Sequence, residues 1–251
     1  MAIPIFESYT SCSNINNPVA GMGPMTASYM SGINANDILV LMLNVRGGST
    51  ITTPDGWNLS GDARSVLGGS QNWWGWKRAI GTETGEVPII DSDINSPKCG
   101  FMIRVSGVRT TGNPYDNNVW WEATGSSTLI FEASEITTLY NDALRFCFVT
   151  VPDNRSSNTP NGWTESIDYG ISSNNGVQSS LHKIDAANAG VQAVASGSIS
   201  NVEDLSTWTF DLCSLGASAS AIKTIFGLPI AFVKTINGLP IASVKSIYGL
   251  E

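Results

Sequence analysis

Along much of this chain apolar and polar side chains alternate one by one. In FMIRVSGV, Phe101, Ile103 and Val105 alternate with Met102, Arg104 and Ser106; in LRFCFVTV, Leu144, Phe146 and Phe148 alternate with Arg145, Cys147 and Val149. Successive side chains of a strand point to opposite faces, so a period of two predicts half-buried antiparallel strands. Turn signals recur about every ten residues, and no segment carries a convincing helical period. The pattern predicts an all-β protein.

The pattern also repeats. TTPDGWNLSG and NTPNGWTESI lie 106 residues apart, so that Thr53, Pro54, Gly56, Trp57 and Ser60 fall on Thr159, Pro160, Gly162, Trp163 and Ser166. Upstream, ILVLMLNV falls on LRFCFVTV; downstream, Lys77 of WGWKRA falls on Lys183 of SLHKIDA. With one further residue inserted, GFMIRVSGV falls on STWTFDLCS. Each half then reads as four strands, the second entered through the P-x-G-W turn. There proline presets φ, Asp or Asn bonds locally and glycine supplies a positive φ. A four-stranded sheet leaves one apolar face bare, and two such sheets cover each other. The expected fold is an antiparallel β-sandwich, jelly-roll-like, built from pseudo-repeats 37–108 and 143–213 within a body at 37–218. Residues 1–36 are expected to add an edge strand or arm, and residues 109–141 a crossing loop and one further strand.

Composition narrows the function. The 251 residues carry a net charge of −8, which argues against a nucleic-acid partner, because phosphate binding needs clustered Lys and Arg. No run of about 20 apolar residues exists to span a membrane as a helix. MAIPIFESYTS lacks the basic and apolar regions of a signal peptide, so synthesis in a cytoplasm is expected. Cys12, Cys99, Cys147 and Cys213 stand alone and form no C-x-x-C pair, so no zinc site is expected. Cys147 and Cys213 read as small strand residues.

Candidate chemistry is thin. His182 is the one histidine, and its counterpart at an offset of 106 is Trp76. A position that takes Trp or His reads as packing, because a catalytic base needs a positioned partner. Asp91 and Asp93 flank Ser92 in a polar turn, without the spaced oxygen ligands of a Ca²⁺ loop. Glu83 and Glu86 flank another turn, and nothing marks them as an acid/base pair. No nucleophile elbow, phosphate loop or H-E-x-x-H motif occurs. No catalytic residue, metal or cofactor is assigned.

Tryptophan is abundant, with eight in the chain. Trp73 and Trp74 are adjacent, as are Trp120 and Trp121. Neighbours on a strand face opposite sides, so one ring of each pair is expected to be exposed, in a subunit interface or stacked on a sugar. The C-terminus favours the interface. From residue 219 the chain runs through three 11-residue repeats that place Lys223, Lys234 and Lys245 in register. Asn237-Gly238 is a strong two-residue hairpin signal; Phe226-Gly227 and Tyr248-Gly249 occupy the same place. The repeats carry Ile222, Ile225, Leu228, Ile230, Phe232, Val233, Ile236, Leu239, Ile241, Val244, Ile247 and Leu250. Such strands expose both an edge and an apolar face. They are expected to be buried against other copies, a trimer being favoured, or against another protein surface, the alternative being the chain's own sandwich.

Several of these segments resemble a β-sandwich type found in bacteriophage and prophage virion proteins and in some bacterial surface proteins. They are Asn36-Asp37-Ile38-Leu39-Val40, Pro54-Asp55-Gly56-Trp57, Trp76-Lys77-Arg78-Ala79 and Ser106-Gly107-Val108, within residues 30 to 215. The V-K-T-I-N-G-L-P-I-A repeat is similar to segments that end phage structural proteins. The resemblance implies a virion component of capsid-decoration, head-fibre or tail-fibre type. Its partners would be itself and other virion proteins, with a glycan-binding adhesin that uses exposed tryptophan as the alternative.

Overall fold

A computed structural model describes residues 3–14, 25–46, 50–64, 70–91, 96–115, 120–138, 141–153, 155–171 and 176–213, together with 224–225, 228–229, 235–236 and 239–240. The chain divides into two compact units, Met1–Gly216 and Ala217–Glu251.

The first unit is all antiparallel β-structure. Its first half contains β1 (Ile5–Ser13), β2 (Met25–Ser28), β3 (Ile38–Arg46), β4 (Ile51–Thr52), β5 (Asn58–Arg64), β6 (Ser70–Arg78), β7 (Glu86–Asp91) and β8 (Lys98–Ser106). Its second half contains β9 (Trp120–Ala133), β10 (Ile136–Thr138), β11 (Ala143–Val151), β12 (Ser157–Asn158), β13 (Thr164–Gly170), β14 (Gln178–Ala187), β15 (Gly190–Gln192) and β16 (Ala195–Leu212). The first half forms a sheet in the order β1-β8-β3-β6-β5; the second follows β16-β11-β14-β13, with β9 beside β16. The two orders are the same, element for element. The matched turns agree as well: Trp57 N donates to Pro54 O and Trp163 N to Pro160 O, each at 3.1 Å. Gly56 and Gly162 take φ of 77° and 80°, the left-handed conformation that glycine adopts without steric cost.

The sheets face each other across a largely aromatic layer. Ile38, Val40, Met42, Trp74, Trp76, Phe101, Ile103 and Val105 meet Leu144, Phe146, Phe148, Leu181, Trp208, Phe210 and Leu212. Trp74 stacks on Phe210 with ring centroids 4.5 Å apart, and Phe101 meets Phe148 edge to face at 5.6 Å. Strand β6 therefore lies over β16, and β8 lies over β13 and β14. Because β6 corresponds to β14 and β8 to β16, the halves oppose each other about an approximate two-fold, as two subunits of a dimer do.

Two expectations are corrected here. The central strands are not half-buried: every residue of β11, and every residue of β3 except Arg46, is buried. Each sheet has a second cover. Over the first, β2-β7-β4 packs Met25, Ala27, Val87, Ile89 and Ile51 onto Leu39, Leu41, Leu43 and Trp73. Over the second, Phe131, Ala133 and Ile199 close on Cys147, Val149 and Val151. The strand β16 does alone what β7 and β8 do in two pieces, running 18 residues from the cover into the sheet.

The pairing of β14 is also displaced by one residue from the sequence match. Val40 pairs with Trp76, but the equivalent Phe146 pairs with Lys183; Leu41 pairs with Gly75, and Cys147 with His182. The counterpart of His182 is thus Gly75, and that of Lys183 is Trp76. The cause is one extra residue: Gln178 follows Trp163 by 15 positions, whereas Gln71 follows Trp57 by 14. A side chain added at Gly75 would meet the Trp73 ring at 2.6 Å, so Trp73 fills in one half the space that His182 fills in the other.

A buried ion pair joins the same two strands in each half, with its polarity reversed. In the first half Arg104 Nε, on β8, donates to Asp37 at 2.7 Å, beside the start of β3. In the second, Arg145 Nε on β11 donates to Asp211 on β16 at 3.0 Å, and both residues are 1% exposed. Asp211 also accepts from Thr138, and Arg145 donates to Ile136 O, which ties β10 to the sheet. Removing one partner of such a pair strands a charge where water cannot reach it. Asp211→Ala should therefore cost about 3–5 kcal/mol of unfolding free energy, read from urea midpoints at neutral pH. Asp37→Ala should cost less, because the Arg104 side chain keeps 13% of its exposure. A smaller loss for Asp211→Ala than for Asp37→Ala would contradict this account.

Candidate functional site

The nearest approach to a catalytic constellation surrounds His182. Strands β13 and β14 pair Glu165 with His182, and β12 brings in Ser157. Ser157 Oγ lies 3.2 Å from His182 Nε2 and donates to Glu165 Oε1 at 3.4 Å. The order is wrong for nucleophilic catalysis. An ionised carboxylate only accepts, so Ser157 gives its proton to Glu165, and His182 Nε2 must then be the donor toward Ser157. A catalytic base would present a lone pair there and have its other nitrogen oriented by a carboxylate. His182 Nδ1 has no hydrogen-bond partner among the described residues. The ring is fully buried and stacks on Phe131 at 5.2 Å, with planes 19° apart. This geometry suits packing with one anchoring hydrogen bond.

The other candidates resolve similarly. Glu83 accepts from the N–H groups of Ile80 and Gly81, both at 2.9 Å, and lies 3.4 Å from Lys77. Burial raises its pKa, but these backbone bonds and Lys77 outweigh that and hold the carboxyl below its ordinary value. It fastens a turn. Asp91 ends β7, while Ser92 and Asp93 lie outside the described residues. Among the described residues no three His, Cys, Asp or Glu side chains gather as metal ligands. All four cysteines are buried free thiols, and burial pushes Cys99 and Cys147 up to about 12. No helix among the described residues is long and apolar enough to cross a membrane.

The expectation that Trp73 or Trp74 is exposed is overturned, because both are fully buried. They do face opposite sides of β6, but the sheet is covered twice, so Trp74 enters the inter-sheet layer and Trp73 the outer one. Trp57, Trp76 and Trp208 are buried as well. Backbone pairing sets Trp120 and Trp121 opposite Thr209 and Trp208.

What remains is the second unit. Its described residues form two ladders, β17 (Thr224–Ile225) with β18 (Leu228–Pro229), and β19 (Thr235–Ile236) with β20 (Leu239–Pro240). Thr224 pairs with Pro229 and Ile225 with Leu228; Thr235 pairs with Pro240 and Ile236 with Leu239. The register is the same in both, 11 residues apart, and each ladder encloses two residues, 226–227 and 237–238. Those residues, the expected Phe-Gly and Asn-Gly turn sites, lie outside the described residues. Ile225, Leu228, Ile236 and Leu239 lie in the ladders. Ile222, Ile230, Phe232, Val233, Ile241, Val244, Ile247 and Leu250 lie outside the described residues, as do the three lysines.

Comparison of the chain with protein-family models, with curated proteins and with solved structures finds no match.

The environment of His182 sets a pH dependence. Burial lowers its pKa from 6.5 to about 4, so between these values the unfolded chain binds the proton that the folded chain refuses. Stability from this residue is present above pH 6.5 and falls as pH drops toward 4, by about 3 kcal/mol in all. The non-titrating variant His182→Phe should lack that component. Urea titrations of both proteins at neutral pH and near pH 4 measure it, and parallel pH profiles would contradict it.

Proposed function

We propose that this chain is a non-enzymatic structural protein of a bacteriophage virion, of capsid-decoration, head-fibre or tail-fibre type. The sandwich is its displayed or laterally packed body, and residues 217–251 assemble it with other copies or attach it to the particle. The observation that carries this reading is the repeated ladder of the second unit. A two-rung hairpin is too small to be stable by itself, and two of identical register offer open edges at a fixed spacing. Edges that recur along a chain are satisfied together by edges that recur along another copy. Three copies winding their repeats around one axis would give every ladder a neighbour, and a trimer is the assembly we favour. The resemblance of the P-x-G-W halves and of the terminal repeat to virion proteins supplies the setting. The buried Trp73 and Trp74 withdraw two of the four rings on which glycan stacking rested.

The test is the mass in solution of the full chain and of a chain ending before Ser220, by light scattering. The truncated protein should be a folded monomer and the full chain a trimer. Incubation with particles should retain the full chain and not the truncate. If both are monomers and neither associates with particles, the assembly role fails; if the truncate alone binds host polysaccharide saturably, the adhesin reading replaces it.

A further inference from the structure

At one end of the inter-sheet layer the aromatic rows give way to a polar one. Asn72, Asn44 and Cys99 stand side by side on β6, β3 and β8, and Ser179, Thr150 and Ser206 stand side by side on β14, β11 and β16. These are equivalent positions in the two halves, Asn44 with Thr150, Asn72 with Ser179 and Cys99 with Ser206. All six residues are at most 1% exposed, with Cys99, Asn44, Asn72, Thr150 and Ser179 at zero. The rows touch: Asn44 Nδ2 donates to Val151 O at 2.9 Å and to Gln178 O at 2.8 Å, and Cys99 Sγ lies 3.5 Å from Ser179 Oγ.

The approximate two-fold turns the Cys99–Ser179 contact into a second one. Cys99 corresponds to Ser206 and Ser179 to Asn72, so the same symmetry sets Ser206 opposite Asn72 across the layer. There, however, the side-chain groups remain unsatisfied. Asn72 Oδ1 and Nδ2, Ser206 Oγ and the neighbouring Asn44 Oδ1 make no hydrogen bond among the described residues. Each buried polar group left so is costly, and four in one place are too many for a stable fold to leave without a partner. Their chemistry defines that partner. Two are acceptors, one is a donor and the hydroxyl is both, and no charged side chain belongs to either row. Burial keeps the Cys99 thiol neutral, with its pKa pushed up to about 12. A neutral, small molecule that donates twice and accepts twice fits, and neither a metal ion nor an anion does.

We propose that the layer between the sheets contains an internal hydration site, in which ordered water donates to Asn44 Oδ1 and Asn72 Oδ1 and accepts from Ser206 Oγ or Asn72 Nδ2. The site bonds the two halves where their aromatic contact ends. Crystallography of the full chain, at a resolution that shows ordered solvent, tests it directly. A solvent peak within hydrogen-bond distance of Asn72, Ser206 and Asn44 is expected, and it should vanish in Asn72→Leu, whose carbons occupy the space. In solution, water-to-amide ROESY cross-peaks on the Asn72 side-chain NH₂ should be present in the wild type and be lost on drying this site. Density in which the Asn72 amide bonds directly to Asn44 or Ser206, with no solvent peak between them, overturns the proposal. So does the absence of the cross-peaks in protein that is folded by circular dichroism. The Ser206→Ala variant, which removes one partner and no volume of consequence, keeps the test valid if Asn72→Leu does not fold.

Discussion

A strand that is apolar on both sides must be covered twice, and this requirement organises the whole body of the protein. Strands β3 and β11 are buried along both faces. Pairing the two sheets satisfies one face of each and leaves the other to be closed by chain from the same half. The covers are therefore as necessary as the sandwich, although they are built from strands as short as Ile51–Thr52 and Ser157–Asn158. Burial of apolar area supplies most of the favourable free energy of such a structure, and the doubly covered strands account for its densest share.

The approximate two-fold explains how one plan tolerates different residues. Each half must close the same volume, but the volume can be divided differently. Trp73 over Gly75 in one half becomes Ser180 beside His182 in the other, with Phe131 completing the stack. The ion pair joins the same two strands with its sign reversed: Arg104 meets Asp37 beside β3, and Asp211, at the position equivalent to Arg104, meets Arg145 of β11. An inverted pair is as good electrostatically as the original, provided that both members change together, since either change alone leaves a buried charge.

Much of the sheet arrangement was legible in the residues themselves. Alternation marked the long strands, and the Pro-x-Gly-Trp turns located the entries to β5 and β13. The 106-residue offset anticipated the shared strand order. The covers were not legible: in the first half they are strands of two to six residues, too short for a firm period, and in the second they are extensions of β9 and β16, which continue into the sheet without a break. That omission produced the error over Trp73 and Trp74: adjacent rings do face opposite ways, but neither way leads to solvent. The offset itself misled at Lys183, where identity with Lys77 hid a one-residue insertion that only pairing reveals. For the candidate site, the 11-residue spacing of the two ladders was readable from the repeated sequence. The buried polar row was not, since Asn44 and Asn72 look like ordinary polar strand residues until both sheets enclose them.

The end of the sandwich is unusually well fastened. Cys213 donates through its N–H to Pro114 O, and its carbonyl accepts from Arg109 N; Arg109 in turn donates to Asn113 and Tyr115 carbonyls. Strand β16 ends just before this clamp, with residues 206–212 bonded to β11 on one edge and residues 205–209 to β9 on the other. A load drawn lengthwise along β16 would act on two ladders in shear, so that many hydrogen bonds must yield together. Resistance to such a load is set by the height of the unfolding barrier, not by the equilibrium stability.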